Sequence, residues 1–306
     1  MASIYDFFGY RAEDTSVEAR EAAQSEICPF LNDKCEKTFN DRTIAGVCSV
    51  KPVNAGAVIC CPIRLYAEDY KILRDVSDLA FEGGLELVPG REAYSIAKSK
   101  GAPCVAVFGK RWGGELYVPQ KQGAGKYFVD WILARLDASG EMTEFVAVEV
   151  QTIDTTGTYR NGYEALKDER VAINTSAGLN WENVNKRILP QLVYKGQVLQ
   201  REAMCRKGLF FVCPRPVFEK VLARVGGVSA LVEYPALQPA SLTFLIYDYS
   251  PEQEPYVDGE SVSLMQTTRH STTVYKLQEA FNNVTLPDGN VYTDAIQRAL
   301  RSRHQD

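Results

Sequence analysis

The chain has 306 residues, of which 45% are hydrophobic and 24% charged, a composition typical of a globular protein with one large core or two domains. Its net charge of -5 disfavours a protein that coats nucleic acid without selectivity, because neutralising phosphates requires an excess of Lys and Arg. The N-terminal residues resemble no signal peptide, and no run approaches the about twenty apolar residues that span a bilayer. We therefore expect a soluble, cytoplasmic protein without a membrane segment.

Cysteines are concentrated near the N-terminus, where Cys28, Cys35, Cys48, Cys60 and Cys61 lie within 34 residues. Disulfides are not expected in a reducing cytoplasm. Cys28, Cys35, Cys48 and Cys61 are separated by six, twelve and twelve residues, and four thiolates form a closed structural site for zinc or a single iron. Because CxxC pairs are absent, scattered free cysteines remain the alternative. Cys60 competes for the fourth position, but a proline follows both Cys28 and Cys61, which favours Cys61.

The region through about residue 64 has no clear periodicity, as expected where a metal holds loops together. We therefore divide the chain into a cysteine-rich metal-binding module at 1–66 and a second domain at 67–306. In 67–81, apolar residues recur at three- and four-residue intervals, which predicts an amphipathic helix.

Residues 126–137 and 143–154 are rich in aromatic and β-branched side chains, and the turn sequence DASGEM separates them. This pattern predicts a β-hairpin. Beyond it, we predict a helix at 180–204 bent around Pro190 and Gly196, a buried strand at 207–213, a helix at 214–226, a strand at 242–249 and a terminal helix at 291–303. Strands and helices in this order predict an α/β fold in which helices pack on the faces of a mixed sheet.

The chain has only two histidines and no GxSxG motif, which disfavours a serine hydrolase. The hairpin offers different chemistry. Alternation along its second strand places Glu149 and Gln151 on one face, and Asp130 at the start of the first strand can fold back beside Glu149. Two carboxylates at a sheet edge suit Mg²⁺, which binds through one or two carboxylates, waters and a substrate phosphate. Such a site would cleave phosphodiesters, with the neutral amide of Gln151 orienting water without taking its proton.

An acid followed by ExQ also occurs by chance in proteins of other function, so the pattern alone leaves a structural role open. Glu115 is either a further acidic contributor or a surface charge. Six basic residues between 186 and 207 stand against the single acid Glu202, and this run is either a solvated helix face or a surface that contacts phosphate.

The chain resembles the NotI and EagI type II restriction endonucleases in CPFLNDKC, VCSV, CCPIRL, KRWGGELY, VDWILARL, FVAVEVQTIDTTGTYRNG, NWENVNKRILPQLVYKG and KGLFFVCP. The resemblance implies a PD-(D/E)XK nuclease core, a mixed sheet flanked by helices, with a small N-terminal metal-binding module of four cysteines. It implies that Asp130, Glu149 and Gln151 occupy the catalytic positions, with Mg²⁺ at the two carboxylates.

The resemblance also implies that Cys28, Cys35, Cys48 and Cys61 hold one iron atom. It implies a homodimer that cleaves double-stranded DNA at a GC-rich palindrome, each subunit cutting one strand, since equivalent protomers meet equivalent half-sites. For DNA contact we select Arg160, Lys186 and Arg187. Arg42 and Arg64 are either outer base contacts or surface residues. A non-catalytic DNA-binding regulator and a PD-(D/E)XK nuclease of repair or transposition are the competing interpretations.

Overall fold

The computed structural model describes residues 1–116, 128–251, 255–283 and 289–302. Its strands are β1 (Ala2–Phe7), β2 (Tyr10–Arg11), β3 (Ile27–Cys28), β4 (Asp33–Lys34), β5 (Val47–Pro52), β6 (Val58–Ile59), β7 (Glu86–Pro89), β8 (Cys104–Gly109), β9 (Trp131–Leu136), β10 (Met142–Val150), β11 (Thr155–Thr156), β12 (Asn174–Thr175), β13 (Gly178–Leu179), β14 (Leu209–Pro214), β15 (Ser241–Tyr249) and β16 (Leu264–Thr273). Its α-helices are α1 (Val17–Ser25), α2 (Ala67–Ala80), α3 (Ala93–Lys100), α4 (Arg160–Asp168), α5 (Leu189–Leu199), α6 (Arg215–Arg224), α7 (Val274–Asn282) and α8 (Val291–Ser302).

A mixed sheet of seven strands, in the order β16-β15-β14-β10-β9-β8-β7, forms the centre of the molecule. Strands β10, β14 and β15 run parallel, whereas β9 runs antiparallel to both β10 and β8. The carboxyl end of β10 therefore lies at the same edge of the sheet as the beginning of β9. This edge carries the acidic residues discussed below.

Hydrophobic cores cover both faces of the central sheet. On one face, Val146 and Val148 of β10 pack in a core with Leu73 and Val76 of α2. On the other face, Ala147 shares a core with buried residues of α5, α6 and α7: Leu189, Leu192, Val217, Phe218 and Leu277. Alternate residues of β10 therefore contribute to two different cores, and the predicted arrangement of a mixed sheet with helices on its faces is confirmed.

The predicted hairpin is formed by β9 and β10, which pair antiparallel from Val148 opposite Trp131 to Met142 opposite Leu136. Its turn uses Gly140 at φ 87°, a conformation that favours glycine. The predicted helices and strands after it correspond to α5, α6, α8, β14 and β15. A π-helical turn at Val184–Ile188 precedes α5. The predicted helix at 67–81 is α2, although Glu68, Asp69 and Tyr70 near its start have left-handed backbone angles.

The N-terminal region contains more regular structure than its sequence periodicity indicated. β1 pairs with β5 on one side and with the distant β12 on the other. Phe7, Phe8 and Val47 form a core there that includes Tyr163 of α4. Hydrophobic packing therefore contributes to this region in addition to any metal.

Within the described ranges, no helix combines the length and apolarity needed to cross a membrane.

Candidate active site

Asp130 and Glu149 lie opposite each other at the edge of the central sheet. The register pairs Val148 with Trp131, so the next residues outward are Glu149 and Asp130. The backbone N–H of Val150 donates a hydrogen bond of 2.8 Å to Asp130 Oδ2. This bond joins the carboxylate of one strand to the backbone beside the other carboxylate, so the two acids that the sequence selected come together.

Burial and mutual repulsion disfavour the ionised form of Glu149, which is only 6% exposed. Burial first, and the nearby charge of Asp130 second, raise the pKa of Glu149 to about 7. Packing also raises the pKa of Asp130, although its residue surface is exposed to solvent. Because Asp130 is exposed, a cation or a phosphate can reach it from solvent.

Glu149 presents a free oxygen of the kind that a divalent cation needs. Among the described residues, its Oε2 atom is buried without a hydrogen-bond partner. A buried carboxylate oxygen left unpaired is costly, and a cation would remove that cost. The two carboxylates are also hard oxygen donors, and Mg²⁺ needs only one or two of them. The residues present therefore fit Mg²⁺ at Asp130 and Glu149.

Sequence reasoning missed Lys195 as part of this site. It lies on α5, and its Nζ donates to Glu149 Oε1 at 2.5 Å. The contact arises because Glu149 lies on the same face of β10 as Ala147, which is the face that packs against α5. Lys195 stood out in the sequence only as one of six basic residues in a run, and a separation of 46 residues from Glu149 gives no local signal.

Gln151 follows Glu149 by two residues and continues the sheet for one step. Its backbone N–H donates to the carbonyl of Val212 at 3.0 Å, and the residue is partly exposed. Continued alternation along β10 predicts that Gln151 lies on the side of the strand that carries Glu149. Glu115 is exposed in the segment after β8.

Of the predicted DNA-contacting residues, Lys186 and Arg187 are exposed and Arg160 is partly exposed, and each makes an ion pair. Arg160 begins α4 and pairs with Asp41 at 2.6 Å. Arg187 pairs with Asp154, three residues beyond Gln151, at 3.3 Å. Lys186 pairs with Glu182 at 3.3 Å along the same helical segment.

The basic run between 186 and 207 is not a single continuous surface. Lys186, Arg187, Lys195 and Lys207 each pair with a different acid, and Lys195 is largely buried. Neither a solvated helix face nor one phosphate-contacting surface describes all of it.

Arg64 cannot contact DNA as a surface residue, because its side chain is completely buried in an ion pair with Asp6. The expectation that it was available for outer base contacts was wrong. The reason is that it lies in the helical turn Pro62–Tyr66, which packs into the core beside α2. Arg42 is exposed.

The N-terminal cysteines are free thiols. Burial raises the pKa of Cys28 to about 12 and that of Cys61 to about 11. The charge of a neighbouring ionised cysteine also raises each of these pKa values. Cys60 Sγ accepts a hydrogen bond of 3.0 Å from Lys37. Within the described residues, no group of three or more His, Cys, Asp or Glu side chains lies close enough together to hold a metal ion. The four-cysteine metal site expected from the sequence is therefore not confirmed.

Paired carboxylates beside a lysine, at an accessible sheet edge, are suited to hydrolysis of a charged ester such as a phosphodiester. The family model described as restriction endonuclease NotI matches residues 8–259, a span that includes both carboxylates, Gln151 and Lys195. A comparison with curated proteins gives no match. Restriction endonucleases bind and cleave double-stranded DNA. Because the match covers most of the chain, the protein belongs to the NotI restriction endonuclease family and is a type II site-specific deoxyribonuclease.

Proposed function

We propose that this enzyme hydrolyses both strands of double-stranded DNA at a GC-rich palindrome in a Mg²⁺-dependent reaction. The observation that carries the proposal is the pair of carboxylates, Asp130 and Glu149, joined across β9 and β10 through the Val150 hydrogen bond. The nuclease core is of the PD-(D/E)XK type in this proposal, with Gln151 at the position that completes the motif.

Each residue has a distinct role in this mechanism. Asp130 and Glu149 hold Mg²⁺, and the buried free oxygen of Glu149 supports that role. The metal, when bound, polarises the scissile phosphate and makes a bound water more acidic. Gln151 orients the attacking water by hydrogen bonding, and its neutral amide does not take the proton.

Arg160, Lys186 and Arg187 contact DNA in this proposal. Their acidic partners are exposed, and exposed ion pairs contribute little to stability. Such pairs can be exchanged for phosphate or base contacts at little cost. The position of Arg187 beside Asp154, which follows the catalytic strand, supports contact close to the scissile bond. Arginine suits G·C readout because its guanidinium can bind guanine O6 and N7 together.

We further propose that the enzyme acts as a homodimer in the cytoplasm, each subunit cutting one strand of a palindrome. Two-fold symmetry in the protein matches two-fold symmetry in the site. The division into a module at 1–66 and a nuclease domain at 67–306 also stays a prediction.

Cys28, Cys35, Cys48 and Cys61 are proposed to hold one structural iron or zinc. Their free thiols, buried in Cys28, Cys48 and Cys61 and partly buried in Cys35, are suitable donors, and the contact of Cys60 with Lys37 favours Cys61 as the fourth ligand. Elemental analysis of the purified protein tests this directly. One equivalent of iron or zinc that is lost in a Cys28→Ser variant supports the site, and metal-free, fully folded protein contradicts it.

Digestion of a sequenced plasmid with Mg²⁺, followed by run-off sequencing of the ends, tests the proposed function. We expect discrete fragments that share one palindromic end. A nuclease of repair or transposition would instead give ends without a common palindrome, and a DNA-binding regulator would give no cleavage. Either result from folded protein would contradict the proposal.

A further inference from the structure

We propose that Lys195 is a positioning residue of the nuclease centre: it holds Oε1 of Glu149 and so leaves Oε2 available to the metal. This inference rests on the proposed role of Glu149 as a metal ligand. It assigns a function to a residue of α5 that lies outside the hairpin carrying the acidic pair and Gln151.

The contact is short and well shielded from solvent. Lys195 Nζ lies 2.5 Å from Glu149 Oε1, and the two side chains are 14% and 8% exposed. A buried ion pair contributes little net stability, because removing both charges from water offsets their attraction. Stability alone is therefore a poor reason for this pair, whereas control of the carboxylate's orientation is a use that the geometry supports.

The two oxygens of Glu149 are in different states. Oε1 accepts the charge-assisted hydrogen bond from Lys195, and Oε2 is buried without a partner among the described residues. A carboxylate held at one oxygen loses its freedom to rotate, so the direction of the second oxygen is defined as well. Lys195 thus fixes the donor that the metal would use.

Helix α5 gives Lys195 a rigid base. Leu189, Leu192 and Leu199 are buried in the core between α5 and the central sheet. Gly196, the next residue along, lies so close to α7 that a Cβ there would be 2.0 Å from Val274 Cγ2. The ammonium group is therefore attached to a backbone that cannot shift freely.

Gln151, two residues after Glu149, is neutral and therefore supplies no positive charge to the acidic pair. Asp130 and Glu149 repel each other, and Lys195 introduces a positive charge beside both carboxylates. This charge partly offsets the repulsion between the two carboxylates before a metal enters.

A second lysine pair on the same strand provides a matched control. Lys207 Nζ lies 3.0 Å from Glu144 Oε1, and these side chains are 30% and 16% exposed. Glu144 is five residues before Glu149 on β10, towards the opposite end of the strand. The two pairs therefore share chemistry and strand but differ in their distance from the proposed centre.

The test compares Lys195→Met, Lys195→Arg and Lys207→Met in the full chain. Single-turnover cleavage is measured at saturating Mg²⁺, and DNA binding is measured in Ca²⁺. We expect Lys195→Met to slow cleavage about 100-fold, the loss typical of a displaced catalytic group. We expect its DNA affinity to stay within about threefold of the parent, as after a neutral substitution. Lys195→Arg should recover much of the rate, and Lys207→Met should cleave like the parent.

Lys195→Met that cleaves at the parent rate would overturn the inference, as would equal losses in Lys195→Met and Lys207→Met. A loss of rate accompanied by an equal loss of DNA binding would also overturn it, because that pattern indicates a structural role. If Lys195→Met does not fold, Lys195→Gln, which keeps a hydrogen-bond donor, replaces it in the same comparison. Glu149→Ala separates the two claims: activity in Glu149→Ala refutes the proposed function, whereas an inactive Glu149→Ala beside a fully active Lys195→Met refutes the role of Lys195 alone.

Discussion

Arg64 and Asp6 form an ion pair whose side chains are completely shielded from solvent. Arg64 also donates to the carbonyl of Val262, and Asp6 accepts a hydrogen bond of 3.3 Å from Tyr249. These contacts join the N-terminal strand β1 to the segment before β16. If one of the two charges is removed, the other is left buried without an ion-pair partner and without access to water.

Arg64→Met should therefore lower the free energy of unfolding by about 3–5 kcal/mol. Urea denaturation measures the change. Lys276→Met is the matched control, because Lys276 pairs with Glu279 at the surface and an exposed pair contributes little to stability. A loss in Arg64→Met no larger than that of the control would contradict the buried charge assignment.

Asp14 anchors the segment around residue 256 to the N-terminal region. Its carboxylate accepts hydrogen bonds from Tyr256 Oη at 2.8 Å and from the backbone N–H groups of Ser16 and Gly259. Burial opposes ionisation, but the hydrogen bond from the Ser16 side chain, together with those from the two backbone N–H groups and Tyr256, outweighs it and lowers the pKa of Asp14. The resulting stabilisation is present above the unfolded-state pKa of about 3.9 and is lost as pH falls through the lower folded-state pKa.

Asp14→Asn should consequently lower the thermal midpoint at pH 7, and its gap from the parent should shrink as the pH falls below about 4. The measurement is the thermal midpoint of both proteins between pH 7 and pH 3. A gap that stays constant across this range would show that the ionised carboxylate is not the source of the stabilisation.

At the scale of elements, α5 connects the core of the molecule to its candidate active site. Alanine normally stabilises a helix by about 1 kcal/mol relative to glycine. At Gly196 the added Cβ would meet the fully buried Val274 at 2.0 Å. Overpacking of this kind costs about 1–3 kcal/mol, so the clash should outweigh the gain in helix propensity.

Gly196→Ala should thus destabilise the protein in urea denaturation and reduce its cleavage rate by displacing Lys195. The double variant Gly196→Ala/Val274→Ala removes the methyl groups that clash and should recover part of both losses. If Gly196→Ala raises stability, as it would in an uncrowded helix, the close packing of α5 against α7 is refuted.

The elements that the sequence predicted are those with strong local signals. The hairpin of β9 and β10 combines β-branched residues with a glycine turn, and β14 is uniformly apolar. Strands β1 and β8 were missed. In β1 the alternating buried positions are Ala2, Ile4 and Asp6, and the charge of Asp6 breaks the apolar pattern. Its ion-pair partner, Arg64, lies 58 residues later. A partner so distant leaves no trace in a local pattern.

Across the whole molecule, the residues of the candidate site also fall into two groups, those that the sequence predicted and those that it did not. Asp130 and Glu149 were predictable because the hairpin register links them through a short turn. Lys195 was not, because its contact depends on how α5 packs across the sheet rather than on spacing. The same limit applies to Arg64, whose burial follows from tertiary packing. Local pattern therefore brought the two acids together, the resemblance to the NotI and EagI enzymes supplied their expected catalytic role, and the three-dimensional structure added the cation beside them.

Glu149, beside Asp130, is proposed to bind the metal that supports DNA cleavage. Replacing Glu149 with alanine would remove this proposed ligand but would leave the residues proposed to contact DNA, Arg160, Lys186 and Arg187. Cleavage and binding should therefore separate in this variant.

The most direct test measures Glu149→Ala and the parent on one duplex that carries the parent's cleavage site, with cleavage followed in Mg²⁺ and binding in Ca²⁺. Glu149→Ala should bind the duplex with an affinity close to that of the parent and should not cleave it. Cleavage by Glu149→Ala at a rate similar to that of the parent would show that Glu149 does not hold a metal required for cleavage.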